Sequence, residues 1–302
     1  MLNKPGGAIF VLIGIMGYAL TPVWTKNIQP SGLAPLDIAT WRFLFAMPIM
    51  WLLLAALRTP LPDKPLPRRG LLGLGVLLVL AALSMFFGLE RVPASTYVLL
   101  FYTYPAMVAL INFALGERMP LQSWLALAIT LTGVALTVPD FGVGLGGEAL
   151  AAVLIAFVNA LAVAVYFILN SRLMRGHSAM GRASAWAITG GFVTMLVIMV
   201  VRGGVAVPPD TKTWALLLLM ASVSTVMPIF MFMVGIQRLG SSKAAILSTM
   251  EPIATLTLAT LLLGETLQAI QLFGGALILT SVVLLQVPLR RPAEAPALAG
   301  GD

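Results

Sequence analysis

The chain has 302 residues, of which 60% are hydrophobic and 10% charged, and its mean hydropathy is +1.00. A soluble domain carries about 25% charged residues, so this composition excludes a water-soluble enzyme and an intrinsically disordered chain. The net charge of +7 comes from Lys and Arg residues scattered between apolar runs, a pattern typical of membrane proteins rather than of nucleic-acid-binding proteins. We therefore expect an all-α integral membrane protein that contacts the lipid bilayer and binds no nucleic acid.

Ten apolar segments, each about 20 residues long and bounded by Pro, Gly or charged residues, predict ten transmembrane helices. The segments are continuous and lack the alternating pattern of barrel strands, so helices are favoured. The predicted helices cover residues 6–27, 36–57, 70–89, 94–115, 121–138, 147–170, 182–201, 213–236, 242–263 and 268–287. The tail, residues 288–302, is rich in Pro and Ala and is predicted to be disordered.

The distribution of basic residues predicts how the chain lies in the membrane. Of the 18 Lys and Arg residues, thirteen fall on the side of the N-terminus, four fall on the other side, and Arg42 lies within a predicted helix. Because cytoplasmic loops carry an excess of Lys and Arg, both termini and the tail are predicted to be cytoplasmic. We expect a multi-pass protein of a bacterial inner membrane.

An internal repeat divides the chain. Residues 88–95 align with 235–242 and residues 104–106 with 251–253 at a constant offset of 147, and after one insertion 116–117 align with 264–265. Each half then contains five predicted helices. Because five is odd, the second half begins on the opposite side of the membrane and has the inverted orientation. The sequence thus predicts two inverted five-helix repeats, residues 1–141 and 142–287, around a central cavity. This architecture is common among secondary transporters.

Three sequence features resemble those of a known family. A stretch from Pro to Gly-Glu occupies residues 105–117 and 252–265, a Gly-x-x-Arg turn precedes each stretch, and Arg42 is followed by Phe43. In these features the chain resembles the EamA family of ten-helix bacterial exporters in the drug/metabolite transporter superfamily. The resemblance implies a secondary transporter that exports amino acids or related metabolites by alternating access. Drugs, nucleosides and sugars are alternative solutes.

Several other functions are not favoured by the sequence. The absence of Cys and the presence of one His, His177, leave few options for an intramembrane enzyme or a metal site. No P-loop is present, and the G-x-G-x-x-G match at residues 142–147 follows no predicted strand. We therefore expect no enzyme activity, no cofactor and no metal. A channel is a further alternative, and it would be distinguished by a flux that does not saturate with solute concentration. We expect the protein to be a monomer and to bind a small-molecule solute.

Polar and aromatic residues inside the predicted helices are candidates for binding the solute, because such groups need partners within the membrane. Glu251 is the deepest acid, and it is interpreted as a site for a substrate amine, as a site for a coupling proton, or as a buried link between helices. Arg42 is shallower, and a structural role is favoured over that of a counter-charge. The predicted substrate-binding residues are Tyr18, Thr21, Trp24, Tyr97, Phe101, Tyr104, Asn159, Tyr166, Ser248 and Glu251. The residues predicted to kink helices are Pro22, Pro105, Pro228 and Pro252.

Overall fold

The computed structural model describes residues 6–59, 61–117, 119–137, 147–177 and 179–286, and within these ranges the chain is helical, without β-strands. The α-helices are α1 Gly7–Ile28, α2 Pro35–Ala56, α3 Arg68–Leu89, α4 Ala94–Phe101, α5 Tyr104–Ala114, α6 Leu121–Thr137, α7 Gly147–Leu173, α8 Met180–Arg202, α9 Thr211–Ala221, α10 Met227–Leu239, α11 Ser241–Ser248, α12 Met250–Leu263 and α13 Ala269–Gln286. The predicted disordered tail and most of the predicted link between the two halves lie outside the described residues.

Among the described residues, seven helical stretches are long and apolar enough to cross a membrane, and three shorter apolar helices accompany them. The seven are Gly7–Ser31, Pro35–Ala56, Arg68–Leu89, Ala94–Ala114, Leu150–Leu173, Met180–Arg202 and Thr211–Leu239, and the three are Leu121–Thr137, Met250–Leu263 and Ala269–Leu285. Large apolar side chains on their outer surfaces are exposed, for example Leu52, Val201 and Leu261. Such a surface suits lipid rather than water. The all-helical membrane fold is confirmed, and the count of ten transmembrane helices stays a prediction.

Two of these seven stretches, and the segment formed by α11 and α12, are interrupted near their middle. Helix α4 ends at Phe101 and α5 begins at Tyr104, and α11 ends at Ser248 before α12 begins at Met250. A π-helical segment, Ser222–Val226, joins α9 to α10. Each interruption is followed within a few residues by a proline, which removes a backbone donor and disfavours a continuous helix.

These prolines are three of the four predicted to kink helices: Pro105, Pro228 and Pro252. The fourth, Pro22, lies inside α1, which runs without interruption from Gly7 to Ile28. A proline inside a helix frees the carbonyl four residues before it, which for Pro22 is the carbonyl of Tyr18.

Glycines allow two pairs of helices to approach closely. Helix α3 packs against α8, and a Cβ added to Gly75 would overlap the backbone of Gly190 and Gly191. Helix α6 packs against α13, and a Cβ on Gly133 would lie 2.7 Å from the carbonyl oxygen of Gly274. Small residues let helix backbones meet in a membrane, where dispersion contacts rather than the hydrophobic effect hold helices together.

Polar contacts join the ends of helices at the side that the charge distribution predicts to be external. Asp37, in the first turn of α2, is 2% exposed and accepts a hydrogen bond of 2.8 Å from Arg202 at the end of α8. Asp210 caps α9 by accepting from the backbone N–H of Thr213, and this bond holds the pKa of Asp210 below its usual range. These contacts fix the ends of α2, α8 and α9 at this side of the helix bundle.

Candidate functional site

An aromatic cluster forms where α4 gives way to α5 and faces α7. The ring of Tyr104 lies 5.3 Å from Phe101, 5.8 Å from Tyr102 and 5.7 Å from Phe167, measured between centroids, and it stacks on Phe167 at 25°. Tyr166 makes an edge contact with Phe167. The interruption of the helix lets Tyr102 join Phe101 and Tyr104, because residues 102 and 104 would point to opposite sides of a continuous helix. The rings are in mutual contact, so a solute that binds here must separate them.

Glu251 joins this cluster from the second half of the chain. It lies in the first turn of α12, directly after the interruption at Thr249, and its carboxyl group lies within reach of the hydroxyl of Tyr102, which can donate to it. Tyr104 and Tyr18 lie within electrostatic range of the same carboxyl group. A negative charge at the start of a helix interacts favourably with the helix dipole, so the position of Glu251 in α12 suits an acid.

Arg42 reaches the interior from α2. Its Nε donates a hydrogen bond of 2.9 Å to the hydroxyl of Thr225 in the π-helical segment, and its guanidinium carbon lies 5.8 Å from the ring centroid of Phe86. It also lies within electrostatic range of Tyr18. Within the described ranges, no carboxylate lies at ion-pair distance from Arg42. The described neighbours of this charge are therefore a neutral hydroxyl and an aromatic ring. The hydrogen bond to Thr225 uses Nε, and the other N–H groups of the guanidinium can donate to a solute.

The remaining predicted residues on α1 lie beside the same π-helical segment. The indole Nε1 of Trp24 donates a hydrogen bond of 3.0 Å to the hydroxyl of Ser224. Thr21 is 4% exposed, and its carbonyl accepts a hydrogen bond from the hydroxyl of Thr25. Tyr18 contacts Phe232 of α10 at 5.8 Å between centroids. Helix α1 therefore connects the π-helical segment with α10 and with Glu251.

Tyr97 and Asn159 form a separate buried pair. The amide nitrogen of Asn159 donates a hydrogen bond of 2.9 Å to the hydroxyl of Tyr97, and the two residues are 3% and 0% exposed. The ring of Tyr97 packs against Gly88, where an added Cβ would overlap it. Tyr97 and Phe101 lie one turn apart in α4, and the helix interruption falls between them and Tyr104, the third residue of the predicted face. The structure places this pair in the packing between α3, α4 and α7.

We expect Tyr97→Phe to destabilise the fold by about 1–2 kcal/mol, because it leaves the buried Asn159 amide without its acceptor. Thermal unfolding of the detergent-purified protein measures the effect, and Tyr97→Phe combined with Asn159→Leu serves as the control, since it removes both polar partners. Recovery of stability in the double variant is expected. An unchanged melting temperature in Tyr97→Phe would show that the pair contributes nothing to the packing.

Several residues at this site were not predicted from the sequence. They are Phe86, Tyr102, Phe167, Ser224, Thr225 and Phe232. Tyr102 could have been identified from the sequence, because the internal repeat aligns it with Thr249, which lies at the interruption between α11 and α12. The predicted Ser248, the last residue of α11, directly precedes that interruption and is half-buried. Among the described residues, no group of three or more acids or histidines could hold a metal ion.

Comparison with known proteins gives one family. The model of the EamA-like transporter family matches residues 5–138 and 150–287. The chain is 28% identical to the uncharacterized transporter YcbK of Bacillus subtilis, over 89% of this chain and 88% of that protein. It is 26% identical to an uncharacterized transporter of Archaeoglobus fulgidus, over 92% and 95% of the two chains. It is 25% identical to the uncharacterized inner membrane transporter YedA of Escherichia coli, over 92% and 89%.

A solved crystal structure shares the fold. It superposes with a TM-score of 0.63 over 93% of this chain and 96% of that chain, at 17% sequence identity. At this identity the likeness concerns the fold alone.

Proposed function

The chain belongs to the EamA-like transporter family, and from this premise we propose that it exports amino acids or related metabolites across the inner membrane as a secondary transporter. The observation that carries the proposal is the pair of opposite charges, Glu251 and Arg42, which both lie within electrostatic range of Tyr18. In the part of the chain that the structure describes, neither charge forms an ion pair. A zwitterion supplies a counter-charge to each.

The aromatic cluster supports the same class of solute. Phe101, Tyr104 and Phe167 present ring faces and edges beside the Glu251 carboxyl group. Ring faces attract ammonium groups and pack against apolar side chains. An amino acid offers both an ammonium group and a side chain, whereas a multiply anionic solute such as a sugar phosphate needs several cations. Among the described residues placed in the candidate site above, Arg42 supplies one such cation.

We propose that the chain crosses the membrane ten times, as two inverted repeats with both termini in the cytoplasm. The paired interruptions support this proposal: Thr103 is the N-cap of α5, and its counterpart at the offset of 147 is Met250, the first residue of α12. The two ranges matched by the family model also correspond to the two proposed halves. In such a fold the solute binds near the bilayer midplane, where broken helices meet, and its exposure alternates between the two sides.

Uptake of radiolabelled amino acids by proteoliposomes tests the proposal, with counterflow driven by unlabelled amino acid inside. Saturable uptake that is accelerated by counterflow is expected for a carrier, with a subset of amino acids preferred. Flux proportional to concentration would indicate a channel, and a chemically changed solute would indicate an enzyme. Uptake of nucleosides, sugars or drugs but of no amino acid would contradict the substrate class. Comparing rates with and without a pH gradient separates proton antiport from facilitated diffusion and exchange.

We expect Arg42→Gln to weaken amino-acid binding by roughly 10- to 100-fold if the guanidinium holds the solute carboxylate. The measurement is competition against a labelled substrate by an amino acid and by its uncharged amide. The variant should lose its preference for the acid over the amide, while Thr225→Val, which removes only the hydroxyl partner of Arg42, should retain that preference. Equal loss of affinity for both competitors in Arg42→Gln would assign Arg42 the structural role instead.

A further inference from the structure

Glu265 joins the two halves of the chain at one end of the helix bundle. It lies in the connection between α12 and α13, and its carboxylate accepts three hydrogen bonds from the start of α4. The donors are the backbone N–H of Ala94 at 2.7 Å, the backbone N–H of Ser95 at 2.9 Å and the hydroxyl of Ser95 at 2.7 Å. Both carboxylate oxygens are used, and each bond is charge-assisted.

This contact replaces a local helix cap. The N-cap position of α4 is occupied by Pro93, whose side chain offers no acceptor, so the first amides of the helix need one from elsewhere. Glu265 supplies it from about 170 residues further along the chain. A cap made by the opposite half holds α4 in place only while the two halves are together at this end, unlike a cap made within the helix itself.

The contact lies beside a cavity at the start of α4, the helix whose other end carries Phe101 of the aromatic cluster. A cavity of about 420 Å³ opens at this end, and Glu265, Lys26 and Pro93 are among the residues that line it. Helix α4 is eight residues long and ends at Phe101. At ~1.5 Å per residue, the capped start of α4 is therefore about 12 Å from the aromatic cluster.

The repeat gives this contact a counterpart. Glu117 aligns with Glu265, and the start of α11 at Ser241 aligns with Ala94. The backbone is alike at both acids, since the preceding residues Gly116 and Gly264 both have positive φ, 93° and 68°. The states of the two acids differ, because Glu117 is exposed whereas Glu265 is half-buried and hydrogen-bonded to α4. In the proposed inverted topology, the two acids lie at opposite surfaces of the membrane.

We propose that Glu265 and Glu117 are alternating latches, each of which caps a broken helix of the opposite half and closes one end of the transport route. The proposal rests on the transporter function proposed above. Here the Glu265 latch is closed on α4 and Glu117 is exposed, which the proposal assigns to the state closed at the external surface. When the halves rock, the Glu265 contact breaks and Glu117 caps the first amides of α11.

Because the latches stabilise opposite states, their removal shifts the equilibrium in opposite directions. The natural chain contains no cysteine, so a single Phe101→Cys reports the accessibility of the aromatic cluster to a membrane-impermeant maleimide added from either side. In this background, Glu265→Gln is expected to raise the labelling rate from outside about fivefold or more and to lower it from inside, since all three charge-assisted bonds are weakened or lost. Glu117→Gln is expected to do the reverse.

Two further variants sharpen the comparison. Glu90→Gln is the matched control, because Glu90 lines the same cavity and its carboxylate pairs with Arg91 at 3.8 Å, whereas Glu265 supplies the side-chain bonds to the start of α4. We expect it to leave labelling from both sides unchanged. Ser95→Ala removes one of the three donors to Glu265 and leaves the backbone bonds, so it is expected to shift labelling in the same direction as Glu265→Gln by a smaller factor.

The labelling experiment does not require a substrate, so its result is separable from that of the uptake experiment. Opposite shifts without amino-acid uptake would support the latches and contradict the proposed substrate class. Unchanged labelling in both Glu variants, or a shift in the same direction in both, would overturn the proposal and leave Glu265 as a fixed cap. If Glu265→Gln fails to insert into the membrane, Ser95→Ala and Glu117→Gln still decide between these outcomes.

Discussion

Glu251→Gln is expected to reduce saturable uptake in proteoliposomes by roughly 10- to 100-fold while leaving membrane insertion intact, because a hydrogen bond to a charged group contributes ~1.5–3 kcal/mol. Gln is close in shape to Glu and keeps a partner for the Tyr102 hydroxyl, so the change removes charge rather than packing. Wild-type uptake in this variant would contradict both the substrate role and the proton role of Glu251.

Counterflow distinguishes these two roles. A carboxylate that only carries a coupling proton is not needed for exchange of solute at equal pH on both sides, so Glu251→Gln would then retain counterflow and lose its response to a pH gradient. A carboxylate that holds the substrate amine is needed in both assays. The matched control is Tyr102→Phe, which keeps the acid and removes its hydroxyl partner, and it is expected to lower the uptake rate less than Glu251→Gln does.

Gly75→Ala is expected to destabilise the protein by about 1–3 kcal/mol, whereas Gly73→Ala on the same helix is expected to leave stability unchanged or raise it. A Cβ on residue 75 would overlap the backbone of α8 at Gly190 and Gly191, and backbone cannot move aside without separating the two helices. A Cβ on Gly73 would meet no atom within 4 Å, and Ala is favoured over Gly within a helix by about 1 kcal/mol.

The thermal unfolding midpoints of the two detergent-purified variants measure this difference. Gly75→Leu is expected to reduce the yield of folded protein, because its larger side chain would force α3 and α8 further apart than Ala does. Equal midpoints for Gly75→Ala and Gly73→Ala would show that the contact between α3 and α8 is looser than the structure describes.

Much of the helical layout was accessible from sequence because its causes are local. Apolar runs of about 20 residues satisfy their own backbone in lipid, and the seven longest helical stretches follow the predicted segments closely. The prolines at 105, 228 and 252 marked three interruptions, since each proline removes a donor from its own helix. The family was also recognisable, because its Gly-Glu and Gly-x-x-Arg motifs are contiguous in the chain.

The composition of the candidate site could not be predicted from single segments, because it depends on contacts between helices that are distant in the chain. The face predicted over residues 97–104 crosses an interruption, so Tyr97 and Phe101 lie in α4 and Tyr104 lies in α5, and the hydroxyl of Tyr97 accepts its hydrogen bond from Asn159 of α7. Tyr102 and Phe167 resembled ordinary packing residues until α4, α5 and α7 were brought together.

Sequence alone determined that this is an all-helical membrane protein of the EamA-like transporter family, because hydropathy and contiguous motifs act over short stretches of chain. Only the tertiary structure decided which polar groups meet. Arg42 contacts Thr225, Glu251 bonds Tyr102, and Glu265 caps α4, and each of these contacts joins residues about 150 or more positions apart. Their positions follow from the close packing of helices through glycines and from the interrupted helices, and those arise only when the whole chain has folded.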